Sequence, residues 1–214
     1  MAELILHSGE RFEQVFFNEP ELNLYIVQEA GSEVKMHVIN FASGTNKIVV
    51  EQRGEGCKTD IYALAYLHGD EAVQTETHVL HAIGGGTSNQ LIKFVLDDRA
   101  KGRFIGDLKI AQDAQQVEAH QTNRNLLLSE TAEMRTQPQL EIYADDVKAT
   151  HGASTGQLDE STLFYMRQRG LSEQKARQLL VGAFMREVID SIGEAGTESA
   201  LKSQLLDTID GVVE

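Results

Sequence analysis

The chain has 214 residues with 19 Lys+Arg against 33 Asp+Glu, a formal net charge of -14, and no basic stretch dense enough to track a phosphate backbone, which argues against nucleic acid as a partner. Its longest apolar runs, such as Leu126 to Leu128 and Leu179 to Val181, fall far short of the roughly 20 residues that cross a bilayer, so no membrane role is expected. A single cysteine, Cys57, leaves no internal disulfide and suits a reducing compartment, and the expectation is a cytoplasmic protein of one domain or one domain with a small appendage.

Met1 to Glu10 alternates apolar and polar residues and carries Glu3 and Glu10, unlike the basic-then-apolar pattern of an export signal. From Leu22 to about Ala149 the chain is a succession of short segments rich in Val, Ile, Tyr and Thr that alternate apolar with polar. Leu22 to Val27, Val34 to Ile39, Lys47 to Val50, Ile61 to Tyr66 and Leu140 to Tyr143 are examples, and the period of two predicts strands. They group into units that begin near Leu22, Asn46, Val73, Arg103 and Glu133, a spacing within the range of solenoid repeats. A two-strand unit of this size fits a hairpin of a sandwich or one coil of a β-solenoid, and periodicity does not separate them. Asn123, Asn125, Gln115, Gln116 and Gln121 lie in or beside strand-like segments; stacked coils would align such amides, while the simpler reading makes them solvated strand positions.

After Gly156 the period changes. Asp159 is placed to cap a helix through Arg169 that ends at Gly170, and Ser172 opens a second helix running to about Ile192 and stopped by Gly193. Ala176, Leu179, Leu180, Ala183, Phe184 and Val188 share one face of that second helix. Thr197 starts a third helix with Leu201, Leu205 and Ile209 on its apolar side. The predicted division is a β region over residues 1–155 followed by a small helical domain over 156–214.

No catalytic constellation emerges. Gly84-Gly85-Gly86-Thr87-Ser88 lacks the Lys of a phosphate-binding loop and reads as a strand-to-strand turn. His78 and His81 are three apart in a strand-like segment and point to opposite faces, so they do not chelate one metal. None of the other histidines forms a zinc-type spacing. Cys57, between Gly56 and Lys58, reads as an inert thiol tolerated in a turn, since an iron–sulfur cluster takes about four such ligands. Asp97-Asp98 and Asp145-Asp146 read as turn or edge residues.

One stretch does carry a resemblance. The run Ala119 to Ser129 (AHQTNRNLLLS), then Thr136 to Lys148 (TQPQLEIYADDVK), Thr150-His151-Gly152-Ala153, Gly156-Gln157-Leu158-Asp159 and Leu163 to Gly170 (LFYMRQRG) closely resembles, block by block, the shared core of the SufB/SufD family of iron–sulfur cluster assembly proteins. The likeness runs from about Thr75 to Ile192 and weakens before that. It implies a right-handed parallel β-helix followed by a C-terminal helical domain, a non-catalytic scaffold that pairs with a SufB-like subunit and works beside the SufC-type ABC ATPase. Among the family the chain looks most like the C-terminal part of the SufD branch, because His151 stands in an Asp-Val-Lys-x-x-His-Gly context and the one cysteine lies outside the matching blocks. His151 is then the residue expected to offer an imidazole to iron or a cluster at the subunit junction, the cluster being transient and shared with the SufB-like subunit rather than bound by this chain alone. Phe164, Tyr165, Leu179, Leu180 and Phe184 are expected to form the ATPase-docking face.

Two departures stand out: Ala149 sits where relatives often carry a cysteine, and family members are longer, so the chain reads as a fragment. Whether the chain forms a homodimer when the SufB-like subunit is absent stays open; separately, the unpaired N-terminal edge of a truncated β-helix is expected to self-associate through Leu4 to Phe17. The rival readings are a β-solenoid carbohydrate-active enzyme, disfavoured by the lack of any Trp for sugar stacking, and a generic oligomerisation module.

Overall fold

In a computed structural model, which describes residues 1–193 and 202–207, the strand-like segments wind into two parallel sheets. Strands β1 (Ala2–Leu6), β3 (Glu21–Gln28), β5 (Gly44–Gln52), β7 (Ala72–His81), β9 (Lys101–Ile110) and β11 (Glu133–Ile142) form the odd sheet in that order. Strands β2 (Arg11–Phe17), β4 (Glu33–Asn40), β6 (Lys58–Leu67), β8 (Thr87–Leu96), β10 (Val117–Leu127) and β12 (Val147–Gly156) form the even sheet. Each strand pairs with the one two places away in sequence, always in parallel. A hairpin of a sandwich pairs neighbours antiparallel, so the ambiguity left by periodicity resolves to a β-solenoid.

Register shows why such dissimilar coils stack. Leu4, Ile26, Val50, Val79, Leu108 and Leu140 occupy one rung column of the odd sheet. Because strand side chains alternate faces, each such column points wholly inward, and coils need agree only in pattern. The interior between the sheets is filled by Ile26, Met36, Ile48, Ile61, Ile92, Phe94 and Phe104, all fully enclosed. Where apolar alternation lapses, polar residues bridge the sheets. Gln28, Gln52 and His81 share one inward column at a corner. Gln28 Nε2 donates to Lys58 O at 2.9 Å, Gln52 Nε2 donates to Thr87 O at 2.9 Å, and His81 Nε2 meets Ser88 Oγ at 2.8 Å. The two glutamines tie the end of an odd strand to the start of the even strand one coil further on, β3 to β6 and β5 to β8, while His81 ties β7 to the next even strand, β8.

The corners run close together. A Cβ on Gly54 would lie 2.0 Å from Ala30 N, and one on Gly84 would lie 2.3 Å from Gln115 O. The Gly84-Gly85-Gly86 run is therefore a corner, with Gly85 at φ +71.

Several expectations are refined. Strands begin at Ala2, two strands before Leu22; their short segments and exposed residues weaken the alternation there. Gln121, Asn123 and Asn125 are buried and inward, not solvated. Asn123 and Asn125 bond each other through their amides at 3.0 and 2.8 Å, whereas Gln115 and Gln116 sit in a turn. Cys57 is fully buried in a corner rather than tolerated by solvent, its thiol 3.1 Å from Glu29 O and 3.2 Å from Gly54 O.

Two helices follow the last coil. Helix α1 (Glu160–Gln168) starts at the Asp159 cap, whose side chain accepts from Ser161 N, and ends before Gly170 at φ +91. Helix α2 (Glu173–Ile189) starts at the Ser172 cap and ends at Asp190, three residues short of the predicted stop at Gly193. Its buried residues are Ala176, Val181, Gly182, Met185, Val188 and Ile189; of the stripe read from the sequence Ala176 and Val188 are buried, Leu180 and Phe184 half-buried, and Leu179 and Ala183 exposed, so the contact face is only partly the one read. That face packs on the outside of the even sheet against Ile39, Leu64, Tyr66, Val95 and Leu126. These strands are thereby buried on both faces, as parallel strands usually are. Residues 202–207 are helical, with Leu205 buried in the same cluster; Thr197, Leu201 and Ile209 of the predicted third helix lie outside the described residues.

Candidate functional site

Two surfaces collect the residues singled out in the sequence. The first is the last coil. Strands β11 and β12 each pair on one side only, with β9 and β10, and among the described residues nothing pairs with their outer edges. Pro138, in register with Gly106, is tolerated there because an edge strand can spare a donor.

His151 lies on β12 in register with Gln121, which is in register with Gln90. It is therefore on an inward-pointing column, yet exposed, since among the described residues no strand pairs beyond β12. Beneath it the amides of Gln121 and Gln90 are buried without a protein hydrogen-bond partner. Gly106 makes room for the first of them, since a Cβ there would come within 2.6 Å of Gln121 Nε2. The arrangement presents one exposed imidazole at the mouth of the solenoid, flanked along β12 by Ala149 and Ala153. An unencumbered imidazole nitrogen is a competent ligand for iron. Among the described residues no group of three or more His, Cys, Asp or Glu is placed to hold a metal ion.

The second surface is the helical region. Phe164, Tyr165 and Leu179 are exposed, at 62%, 58% and 46%, while Leu180 and Phe184 are half-buried. A depression of about 440 Å³ beside Phe164 is lined by Arg167, Gln168, Leu171 and Glu173. Phe184 is engaged from below, with Lys93 Nζ 4.4 Å from its ring centre. The five residues expected to face a partner thus split into an exposed group, the half-buried Leu180, and Phe184, which helps seat α2.

How α2 is seated involves residues that the sequence reading missed. Lys93, fully buried, donates to Phe184 O at 2.7 Å and pairs with Glu187, which Arg124 also reaches at 3.2 Å. Burial pulls the Lys93 ammonium below the usual lysine range, opposed by Glu187, and the bond from Lys93 holds the Glu187 carboxyl below the usual carboxylate range. Nearby, His37 stacks on Tyr62 with ring centres 4.9 Å apart, and its Nε2 meets Ser191 Oγ at 2.9 Å. Burial, with Lys35 adding to it, pulls the His37 imidazole down to about 4. The one clue was Lys93 inside the apolar run Leu91 to Leu96; a charge in a strand buried on both faces needs a partner.

His78, on the outer face, bonds Asp107 Oδ2 through Nδ1 at 2.7 Å, while His81 is buried inside. The two do face apart. No helix among the described residues is long and apolar enough to cross a membrane.

Comparison with known proteins places these features. The family described as SUF system FeS cluster assembly, SufBD core domain, matches residues 22–184. The iron–sulfur cluster assembly protein SufD of Escherichia coli is 39% identical over 153 residues, covering 72% of this chain and 35% of that protein. An iron–sulfur cluster assembly SufBD family protein of Synechocystis is 36% identical over 179 residues, covering 83% of this chain and 40% of its own length. SufD of Bacillus subtilis is 31% identical over 151 residues, covering 70% and 34%. The chain therefore spans 34% to 40% of the length of these relatives. With a parallel β-solenoid, a helical region after it and a family match over most of its described length, this chain belongs to the SufB/SufD family of iron–sulfur cluster assembly proteins and is SufD-like.

Proposed function

We propose that this chain is a non-catalytic, cytoplasmic scaffold subunit of a Suf-type assembly complex, with the solenoid of residues 1–155 pairing with a SufB-like subunit and the helical region of 156–214 docking a SufC-like ATPase. The observation that carries this reading is the last coil: two strands with unpaired edges and His151 standing exposed on an inward column. Unpaired strand edges are a ready template for another chain, and a partner that stacks there meets His151 at the junction. The iron–sulfur cluster is then cargo held between subunits, with His151 giving one ligand and the SufB-like subunit the thiolates.

In this scheme ATP binding draws two copies of the ATPase together, and the helical region transmits the motion to the junction. Such a part calls for a rigid seat, and α2 has one in the Lys93–Glu187–Arg124 and His37–Ser191 contacts. The exposed side of the helical region, Phe164 and Tyr165 on α1 with Leu179 on α2, is the face offered to the ATPase. Removing α2 altogether would uncover the even sheet, so the test uses point changes. Phe164→Ala with Leu179→Ala should abolish capture of a SufC-like ATPase while a SufB-like subunit is still retained. Undiminished ATPase capture would remove the docking assignment.

A further inference from the structure

The outer face of the odd sheet holds a groove of about 390 Å³ bordered by Thr45, Gln74, Lys101, Arg103, Glu133 and Arg135. In a chain of net charge -14, this groove gathers three cations around one carboxylate. Glu133 is shared, 3.4 Å from Lys101 Nζ and 3.7 Å from Arg135. Arg103 stands directly opposite Arg135 in the β9–β11 register, and among the described residues its side chain has one polar partner, Gln74 Oε1 at 3.4 Å. Like charges directly opposite across a strand pair are destabilising. Lys101 and Arg135 share Glu133, while Arg103 leans on the neutral Gln74 Oε1 and has no carboxylate partner among the described residues, which leaves the groove short of negative charge.

We propose that this groove docks an acidic helical segment of a partner protein, with carboxylates three or four residues apart. Adjacent strands set Arg103 and Arg135 about 4.7–4.9 Å apart at the backbone. Helical residues at i and i+3 or i+4 stand about 5–6 Å apart, whereas same-face residues of an extended strand are nearly 7 Å apart, so a helix matches the arginine spacing better. Arginine forks recognise carboxylates with two parallel bonds. Because the rest of the chain repels an acidic partner, the patch also fixes where and in which orientation such a partner lands. This surface belongs to the odd sheet, whereas His151 and the α2 contact belong to the even sheet, and it does not depend on their roles.

The test is fluorescence anisotropy of the full chain with a labelled Ala-rich peptide of about 20 residues, long enough to hold helix, carrying Glu pairs at i and i+4. A second peptide of the same composition places the Glu residues at i and i+2. Binding of the first peptide, weakened about tenfold or more by Arg103→Glu or Arg135→Glu, unchanged by Lys109→Glu on the same face, and weaker for the second peptide, supports the proposal; tenfold corresponds to about 1.4 kcal/mol. Circular dichroism confirms that each variant is folded. Absence of binding, equal binding by the arginine variants, an equal loss in Lys109→Glu, or displacement of the peptide by millimolar inorganic phosphate as a small-anion site, would each overturn it.

Discussion

Lys93 offers the sharpest test of how the helical region is held on the solenoid. Lys93→Ala removes a bond to the Phe184 carbonyl, the pair with Glu187 and the packing of a four-carbon stem under the Phe184 ring. Breaking a fully buried ion pair costs about 3–5 kcal/mol because the remaining charge is stranded. Glu187 is about half exposed (48%) and keeps Arg124 at 3.2 Å, so that upper range does not apply. Loss of a charged hydrogen bond at about 1.5–3 kcal/mol and of buried methylenes at about 0.8 kcal/mol each, part refilled by relaxation, gives roughly 3 kcal/mol. Lys93→Met keeps the stem and loses only the charged bond, so its cost should be about 1.5 kcal/mol, the lower end of that range. Urea denaturation midpoints at constant slope measure both. If Met costs as much as Ala, the charge and not the packing holds α2; if both fall within about 0.5 kcal/mol, α2 is not anchored at Lys93 at all.

Acidification should loosen the fold through His37 and His81, both buried and both held down to about 4. Since their unfolded value is near 6.5, the unfolded state binds more protons between about pH 6.5 and 4, so stability is full above that window and falls as pH drops through it, by at most roughly 3 kcal/mol per histidine; denaturation at pH 7.5 and pH 5 should show the loss, and a flat profile would contradict the burial argument. Gly54→Ala drives a methyl against the Ala30 backbone at 2.0 Å and should cost about 3 kcal/mol or more, seen as a fall in melting temperature; a shift under about 2 °C would mean that the corner yields. His151→Ala should leave stability within about 0.5 kcal/mol, as for surface substitutions, while lowering cluster yield in the reconstituted complex; a mutant that melts early and loses yield in proportion would make the histidine structural.

Strand positions in the middle of the chain were legible because inward columns such as Ile26, Val50, Val79 and Leu108 demand period-two alternation in every coil. The solenoid itself was not, since hairpin and coil share that period and only the pairing of β3 with β5 rather than β4 tells them apart. Helix starts were legible from Asp159 and Ser172, whose caps form as read. The face of α2 was read in part: Ala176 and Val188 are buried and Phe184 packs against the cluster, whereas Leu179 and Ala183 are exposed and Val181 and Met185 take their place at the buried face. The amides of Gln121 and Asn123 looked solvated because a single sequence does not show that a column of coils covers them. At the candidate site, the blocks around His151 pointed to the right family, but that it stands on an inward column left open at the last coil follows only from register. The anchors Lys93–Glu187 and His37–Ser191 join residues 94 and 154 apart in sequence, beyond any local pattern.

An anaerobic reconstitution of this chain with a SufB-like subunit and a SufC-like ATPase, read by size-exclusion chromatography with ultraviolet–visible absorbance, tests the scaffold role most directly. The expected result is co-elution of all three proteins, with cluster absorbance that depends on the chain and drops with His151→Ala. Elution of this chain by itself, while the other two assemble a cluster to the same yield without it, would contradict the role.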